Sequence, residues 1–364
     1  MAQPQVQLQG ESVEQLLARA YEHAYDQGWT DGLPVIPATP GSVLQFVAAS
    51  GRAADEVIGH LPPRKGRATV EAIAVNAVMA GCRPEYMPVI IAAVEGMLDP
   101  SYPLEFMQVT TNPMTPFLLV NGPVRKRLDI NCGTGCLGPG WRANATIGRS
   151  IRLIMNNIGG ALPGVYSKVS FGSPLRYSYI CGENEEENPW TPFHVDRGFR
   201  REESTVTVFK ASNFCNISGG EGVGPSEILR QIATNMPPMY GGGDGVLLLL
   251  GVNHARSLHE AGLTKRDIQN RLWELARLPI SYFAEGFVSL LLAACNDAKI
   301  NATLERLLSM PDDKRQGLVH AWVTDLLIEK APPDLVQAIA CLADDAIAEK
   351  AYEVIFKCQR GGTL

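Results

Sequence analysis

The chain lacks any uninterrupted apolar run of the roughly 18 residues that a membrane-spanning helix needs, and its most apolar stretch, 283–294, falls short. It also lacks a secretory leader. The N-terminus carries Gln3, Gln5, Gln7, Gln9 and Glu11 where a signal peptide would place a positive segment and then an apolar one. Together these gaps predict a cytoplasmic protein with no membrane partner. There is no excess of positive charge either. The formal net charge is −6, the pI is near 5.6, and no basic stripe is visible, which excludes the electrostatic footprint of a nucleic-acid binder. The 8 cysteines (82, 132, 136, 181, 215, 295, 341, 358) follow no regular spacing, so they are expected to be free thiols, buried or catalytic, rather than a disulfide framework.

What is present reads as an ordinary globular chain of 364 residues, 46% hydrophobic and 19% charged, and long enough for two domains. Apolar residues recur at helical spacing in 11–27, where Ser12 and Gln15 make a capping-box signature. They do so again in 40–50, in 68–80, and in 86–98 with Pro88 in the first turn. Strands are predicted at 105–111, 116–121, 177–182, 204–210 and 245–251, the last being the clearest buried run. Helices are expected from Ser226 to about Met236 and from Thr264 to Ala276. Beyond 283 glycine becomes scarce, and 284–297, 302–310, 313–329 and 333–358 read as successive helices. The expected architecture is α/β: a mixed sheet with flanking helices over 1–282, carrying ligand binding or catalysis, and a helical appendage over 283–364 for packing or oligomerisation. A faint echo between Asn121-Gly122-Pro123 and Gly251-Val252-Asn253, each after a predicted strand, raises two diverged α/β units. The competing explanation is that glycine and proline accumulate in the loops of any such fold.

Residues 131–160 hold the strongest chemical signal. Gly133, Gly135, Gly138 and Gly140 run into a helix whose Ile147, Ile151, Ile154 and Ile158 share a face. No Gly-Lys-Ser/Thr follows, so this is no phosphate loop of the Walker type. The Gly-x-Gly-x-x-Gly match also lacks the acidic residue that would hold a ribose, so no nucleotide cofactor is implied. The loop with Trp141, Arg142, Asn144, Thr146 and Arg149 predicts a pocket for a small carboxylate or phosphate, since arginine can hold either through two parallel hydrogen bonds; Asn121 and Asp31 join as ligand contacts. The alternative is a structural loop whose arginines pair with the acidic stretch 183–187. Cys132 and Cys136 stand at the loop's mouth, where a helix N-terminus and arginines would favour a thiolate; Cys82 and two other cysteines at element ends are open to converge there. His254, just past the predicted strand 245–251, and His194 are the acid/base candidates. Glu183, nearest a strand end, is the preferred general base or arginine partner. A metal on the acidic stretch with His194 is a lesser alternative, and no metal ligand is assigned.

Several segments together resemble an uncharacterised bacterial family. They are Trp-Thr-Asp-Gly-Leu-Pro at 29–34, Asn-Ala-Val-Met-Ala-Gly-Cys-Arg-Pro-Glu-Tyr-Met-Pro at 76–88, Gly-Pro-Gly-Trp-Arg-Ala-Asn-Ala-Thr-Ile-Gly-Arg at 138–149, Glu-Asn-Glu-Glu before Pro-Trp at 183–190 and Gly-Leu-Thr-Lys-Arg-Asp-Ile at 262–268. Some of its members are loosely associated with thiol or selenol proteins named for a Sec/Cys-Gly-Ser-Cys motif, which implies redox or lyase chemistry. This chain has no Cys-Gly-Ser-Cys, and its helical ending differs from the family's glycine-rich one. The expectation is an enzyme acting on a small anionic metabolite, with histidine acid/base and cysteine thiol chemistry, as a homo-oligomer or with a second subunit. Three rivals stay open: a cofactor-free lyase or hydrolase, a metal-dependent enzyme with Cys/His ligands, and a non-catalytic subunit of a complex.

Overall fold

The computed structural model describes residues 6–212, 214–217, 222–239, 246–276, 285–328, 331 and 333–359. The chain divides into two compact units, Met1–Pro225 with Leu247–Lys265, and Ser226–Val246 with Arg266–Leu364.

The first unit opens with helices α1 (Val13–Asp26), α2 (Pro40–Ser50), α3 (Val70–Met79), α4 (Met87–Met97) and α5 (Leu104–Val109). Ser12 caps α1 as its spacing predicted, and the helix ends before Gly28, whose φ is +67°. Between α2 and α3 lies an antiparallel hairpin, β1 (Val57–Leu61) with β2 (Gly66–Thr69). The hairpin was not foreseen: its strands are short, and Pro62-Pro63 in the connection mask the pattern. Residues 105–111 are no strand. Leu104, Met107 and Gln108 are buried at a spacing of three and one, which is one helix face, and the Gln108 side chain donates to Pro62 O at 2.6 Å.

Next come β3 (Thr115–Asn121), α6 (Val124–Arg127), α7 (Arg142–Asn157), β4 (Ile180–Gly182), α8 (Phe193–Asp196) and β5 (Thr205–Ala211). They form a three-stranded mixed sheet in the order β4-β3-β5, parallel between β3 and β4 and antiparallel between β3 and β5. Parallel neighbours need a long crossover, and α6, the glycine-rich loop and α7 supply it. Every residue of β3 is buried. One face of the sheet, with Leu118, Val120 and Ile180, joins the main core of α2, α3, α4 and α7. The other carries Phe117, Leu119, Tyr179 and Cys181 against Cys136, Phe193 and Phe209. The predicted isoleucine face of α7 is buried, with exposures between 0% and 8%, and each such side chain contributes roughly 1.5–3 kcal/mol. α7 can lie this close to the sheet because residue 148 is glycine: a Cβ there would stand 2.1 Å from Ser178 Oγ.

The remaining helices are α9 (Pro225–Met239), α10 (Val252–Glu260), α11 (Lys265–Leu275), α12 (Glu285–Asn296), α13 (Ala298–Leu308), α14 (Asp312–Ile328), α15 (Pro333–Ala340) and α16 (Asp345–Gln359). Residues 246–250, predicted as a buried strand, form none, and Val246, Leu247 and Leu249 are 37–41% exposed. A short apolar run has no decisive period of its own, and a strand also needs a neighbouring edge to pair with. Part of the second glycine-rich loop, 218–221, and residue 245 lie outside the described residues. The helical unit has its own core, including Phe287, Leu304, Val319, Leu342 and Ile355. Buried Arg315 ties its helices together by donating to Leu342 O at 3.1 Å and pairing with Asp312 and Asp345. No helix among the described residues is long and apolar enough to cross a membrane.

Candidate functional site

The glycine-rich loop turns inward to its own helix. Asn144, in the first turn of α7 and buried, accepts from Asn131 N at 2.8 Å and donates to Asn131 O, Cys136 O and Ile180 O. Arg142 donates to Gly81 O at 2.9 Å and Cys82 O at 3.2 Å, closing the turn after α3. Arg149 grips Asp31 with two bonds of 2.8 Å and also donates to Pro34 O. The Thr146 hydroxyl donates to Arg142 O within the helix. Trp141 is 40% exposed, and Gly138 N donates to Gly135 O inside the loop, whereas Gly140 (φ +125°) has open space around it. The expected anion pocket of Arg142 and Arg149 is therefore a brace: the guanidinium groups are spent on backbone carbonyls and on Asp31, and Asp31 is a partner of Arg149 rather than a ligand contact. Neither arginine meets the acidic stretch. Arg152, on the same helix, is buried and donates to Arg176 O and Thr115 Oγ1.

The thiols divide: Cys181 meets Cys136 as the element ends allowed, and Cys82 is bonded elsewhere. Cys82 is buried and donates to Thr146 O, and burial pushes its pKa up to about 12, so it stays protonated. Cys136 meets Cys181 across the sheet's aromatic face. The hydrogen bond from Cys181 draws Cys136 down to about 7 and raises Cys181. Cys132 accepts from Arg125 Nη1 at 3.6 Å. Cys215 is exposed and Cys341 half-buried, both free. Cys295 is disulfide-bonded, a departure from the expected thiols, and the Cys358 side chain lies outside the described residues.

A different constellation forms at the C-terminal ends of β3 and β4. Parallel pairing sets Val120 beside Gly182, so Asn121 and Glu183 emerge side by side, at the sheet edge where open α/β sheets place their ligands. The Asn121 amide donates to Glu183 Oε2 at 2.5 Å and to Glu185 Oε1 at 3.1 Å. Glu183 also accepts from Asn188 Nδ2 at 2.6 Å and Phe193 N at 2.7 Å. Glu185 accepts from Gly122 N at 2.7 Å, and Arg125 Nε lies 3.0 Å from its Oε1 in a contact too bent for a hydrogen bond. Arg125, itself buried, reaches Glu186 with two bonds of 3.2 Å and holds that carboxyl at about 2, well below the usual range. Glycine is required at 122, where φ is +80° and a Cβ would stand 2.1 Å from Glu203 O.

His194 completes the group. It sits on the single turn α8, fixed on one side by Phe193 packing against Phe209 and on the other by Arg197 N and Phe199 N donating to its carbonyl. Its ring is buried, yet neither Nδ1 nor Nε2 has a hydrogen-bond partner; Nδ1 is 4.0 Å from Glu185 Oε1, beyond bonding reach. One donor atom from each of Glu183, Glu185 and His194 lies within 4.8 Å of the others. The Asn121 carbonyl oxygen is likewise buried and unpartnered. His254 stands elsewhere, on the first turn of α10, half-buried. The strand that was to present it does not form. Its helix is tied to the acidic loop by Arg256–Glu187 at 3.1 Å and by Trp190 against His259.

Asn121, Glu183 and His194 were thus identified singly from the sequence, and Glu185 only as one of four carboxylates. Arg125 and Gly122 were missed, although the basic run 125–127 facing an acidic stretch of opposite sign was a usable signal. Comparison of the chain with protein families, with curated protein sequences and with solved structures gave no match in any of the three.

Proposed function

We propose that the chain is an enzyme acting on a small metabolite, with its reaction centre at Asn121, Glu183, Glu185 and His194. The observation that carries this reading is the buried imidazole with both nitrogens unpartnered beside two carboxylates. Burying a polar group without a partner costs about 1–3 kcal/mol, and such a cost persists where the free lone pair or N–H serves a ligand. The carboxylates are positioned on a rigid sheet edge by Asn121, Gly122 and Asn188, which is the preorganisation proton transfer needs. An anionic substrate finds no free guanidinium at Arg142 or Arg149, so its negative charge must be met in another way. A thiol step has one supporting observation, the Cys136 sulfur drawn toward the thiolate by Cys181.

A turnover screen over a panel of small carboxylates and phosphate esters tests this reading. Glu183→Gln and His194→Gln are expected to lower turnover roughly 100-fold or more, with far-UV circular dichroism unchanged. Indistinguishable behaviour of the wild type and both variants sinks it.

A further inference from the structure

The geometry points to a divalent cation site formed by Glu183, Glu185 and His194. This deepens the reading of the cluster as a reaction centre and rests on it. Two carboxylates share one amide donor, Asn121 Nδ2, so they are held close together with their oxygens facing a common space. Glu183 has only neutral N–H partners among the described residues, while Arg125 lies between Glu185 and Glu186 and Lys126 also pairs with Glu186 at 2.9 Å. The charge of Glu183 is therefore left without a cation partner among the described residues, and an imidazole with both nitrogens unpartnered lies beside the pair of carboxylates. Carboxylate oxygen and imidazole nitrogen are ligands that suit first-row dications such as Mn2+, Fe2+ and Zn2+. Donor atoms around such an ion at about 2.1 Å stand roughly 3–4 Å apart. The three here lie within 4.8 Å of one another, so modest side-chain rotation closes the shell. Three protein ligands leave coordination positions open, as a catalytic rather than structural site requires.

The cation also resolves the charge problem left by the spent arginines. It turns an acidic cluster into one that attracts an anionic oxygen, so the substrate class is a small carboxylate or phosphate bound to the metal. His194 then contributes a lone pair, and Asn121 and Asn188 act as positioning residues by fixing the carboxylates.

Mn2+ is the probe of choice, because it prefers oxygen and nitrogen and leaves the Cys132, Cys136 and Cys181 sulfurs aside. Titration of the full chain, followed by the EPR signal of free Mn2+, is expected to show stoichiometric uptake. Affinity falls at least about tenfold in Glu185→Gln and in His194→Gln, and Cys132→Ser with Cys136→Ser leaves it unchanged. The His194 ring makes no hydrogen bond whose loss would unfold the protein, so that variant carries the test if Glu185→Gln does not fold. No uptake at millimolar Mn2+, or uptake that survives in His194→Gln, overturns the proposal. Uptake without turnover of any substrate removes the enzyme reading and leaves the site; absence of uptake with turnover retained in chelator-treated protein removes the site and leaves the enzyme.

Discussion

Two regions of the molecule invite the same functional reading and earn it differently. The glycine-rich loop with Arg142 and Arg149 has the residue types of a ligand site, and every one of those guanidinium groups is bonded to the protein itself. The ends of β3 and β4 offer a less conspicuous set, yet there His194 is buried with both nitrogens unmet. Residue type says what a side chain can do. Only the tally of its partners says whether it is still available to do it.

The comparison can be broken most severely through glycine. Gly122→Ala places a Cβ at 2.1 Å from Glu203 O on a backbone with φ +80°, and a loss of at least roughly 4 kcal/mol is expected in urea unfolding. Gly138→Ala in the loop puts its Cβ 3.4 Å from Gly135 O, and its expected effect is within about 0.5 kcal/mol. Equal losses would mean that the loop is as constrained as the site. Next in size, Arg149→Met strands the Asp31 carboxylate, whose side chain is 3% exposed, and should cost roughly 3 kcal/mol. His194→Leu, measured in chelator, should stay within about 1 kcal/mol of wild type or gain stability, because no bond is lost; a large loss there would show the imidazole to be structural. The smallest effect is kinetic. A Cys136 pKa of about 7 lies below the ordinary thiol, so its thiolate fraction, and with it the iodoacetamide alkylation rate, rises with pH through a midpoint near 7. Peptide mapping of the alkylated residue checks this, and a midpoint near about 8.5 removes the influence of Cys181.

Much of the fold was legible because long amphipathic helices and the alternating strand β5 carry their own period, and β3 is a continuous apolar run. What failed was short or depended on partners. Residues 104–109 were too few to separate helix from strand, the β1–β2 hairpin hid behind its prolines, and 246–250 lacked an edge to join. The site failed in the same way. Asn121 and Glu183 are 62 residues apart in sequence, and nothing local says that parallel pairing will bring them together. The rule that ligands gather beyond parallel strand ends was applied to His254, after a strand that does not form. Arg142 and Arg149 misled for the opposite reason: their partners Gly81 and Asp31 are equally remote.

The pairing of Val120 with Gly182 also governs how the proposed site assembles. A slip of one residue along that ladder would send Asn121 to the opposite face of the sheet, dispersing the donor that gathers the two glutamates. Binding at the proposed site would therefore be a readout of strand register, and a chain that had collapsed with its helices formed but its crossover misaligned would be compact and without that site. Any ion or substrate held there adds its binding free energy to the correct register alone. An ion taken up at the proposed site would then proofread the closure of the longest crossover in the sheet.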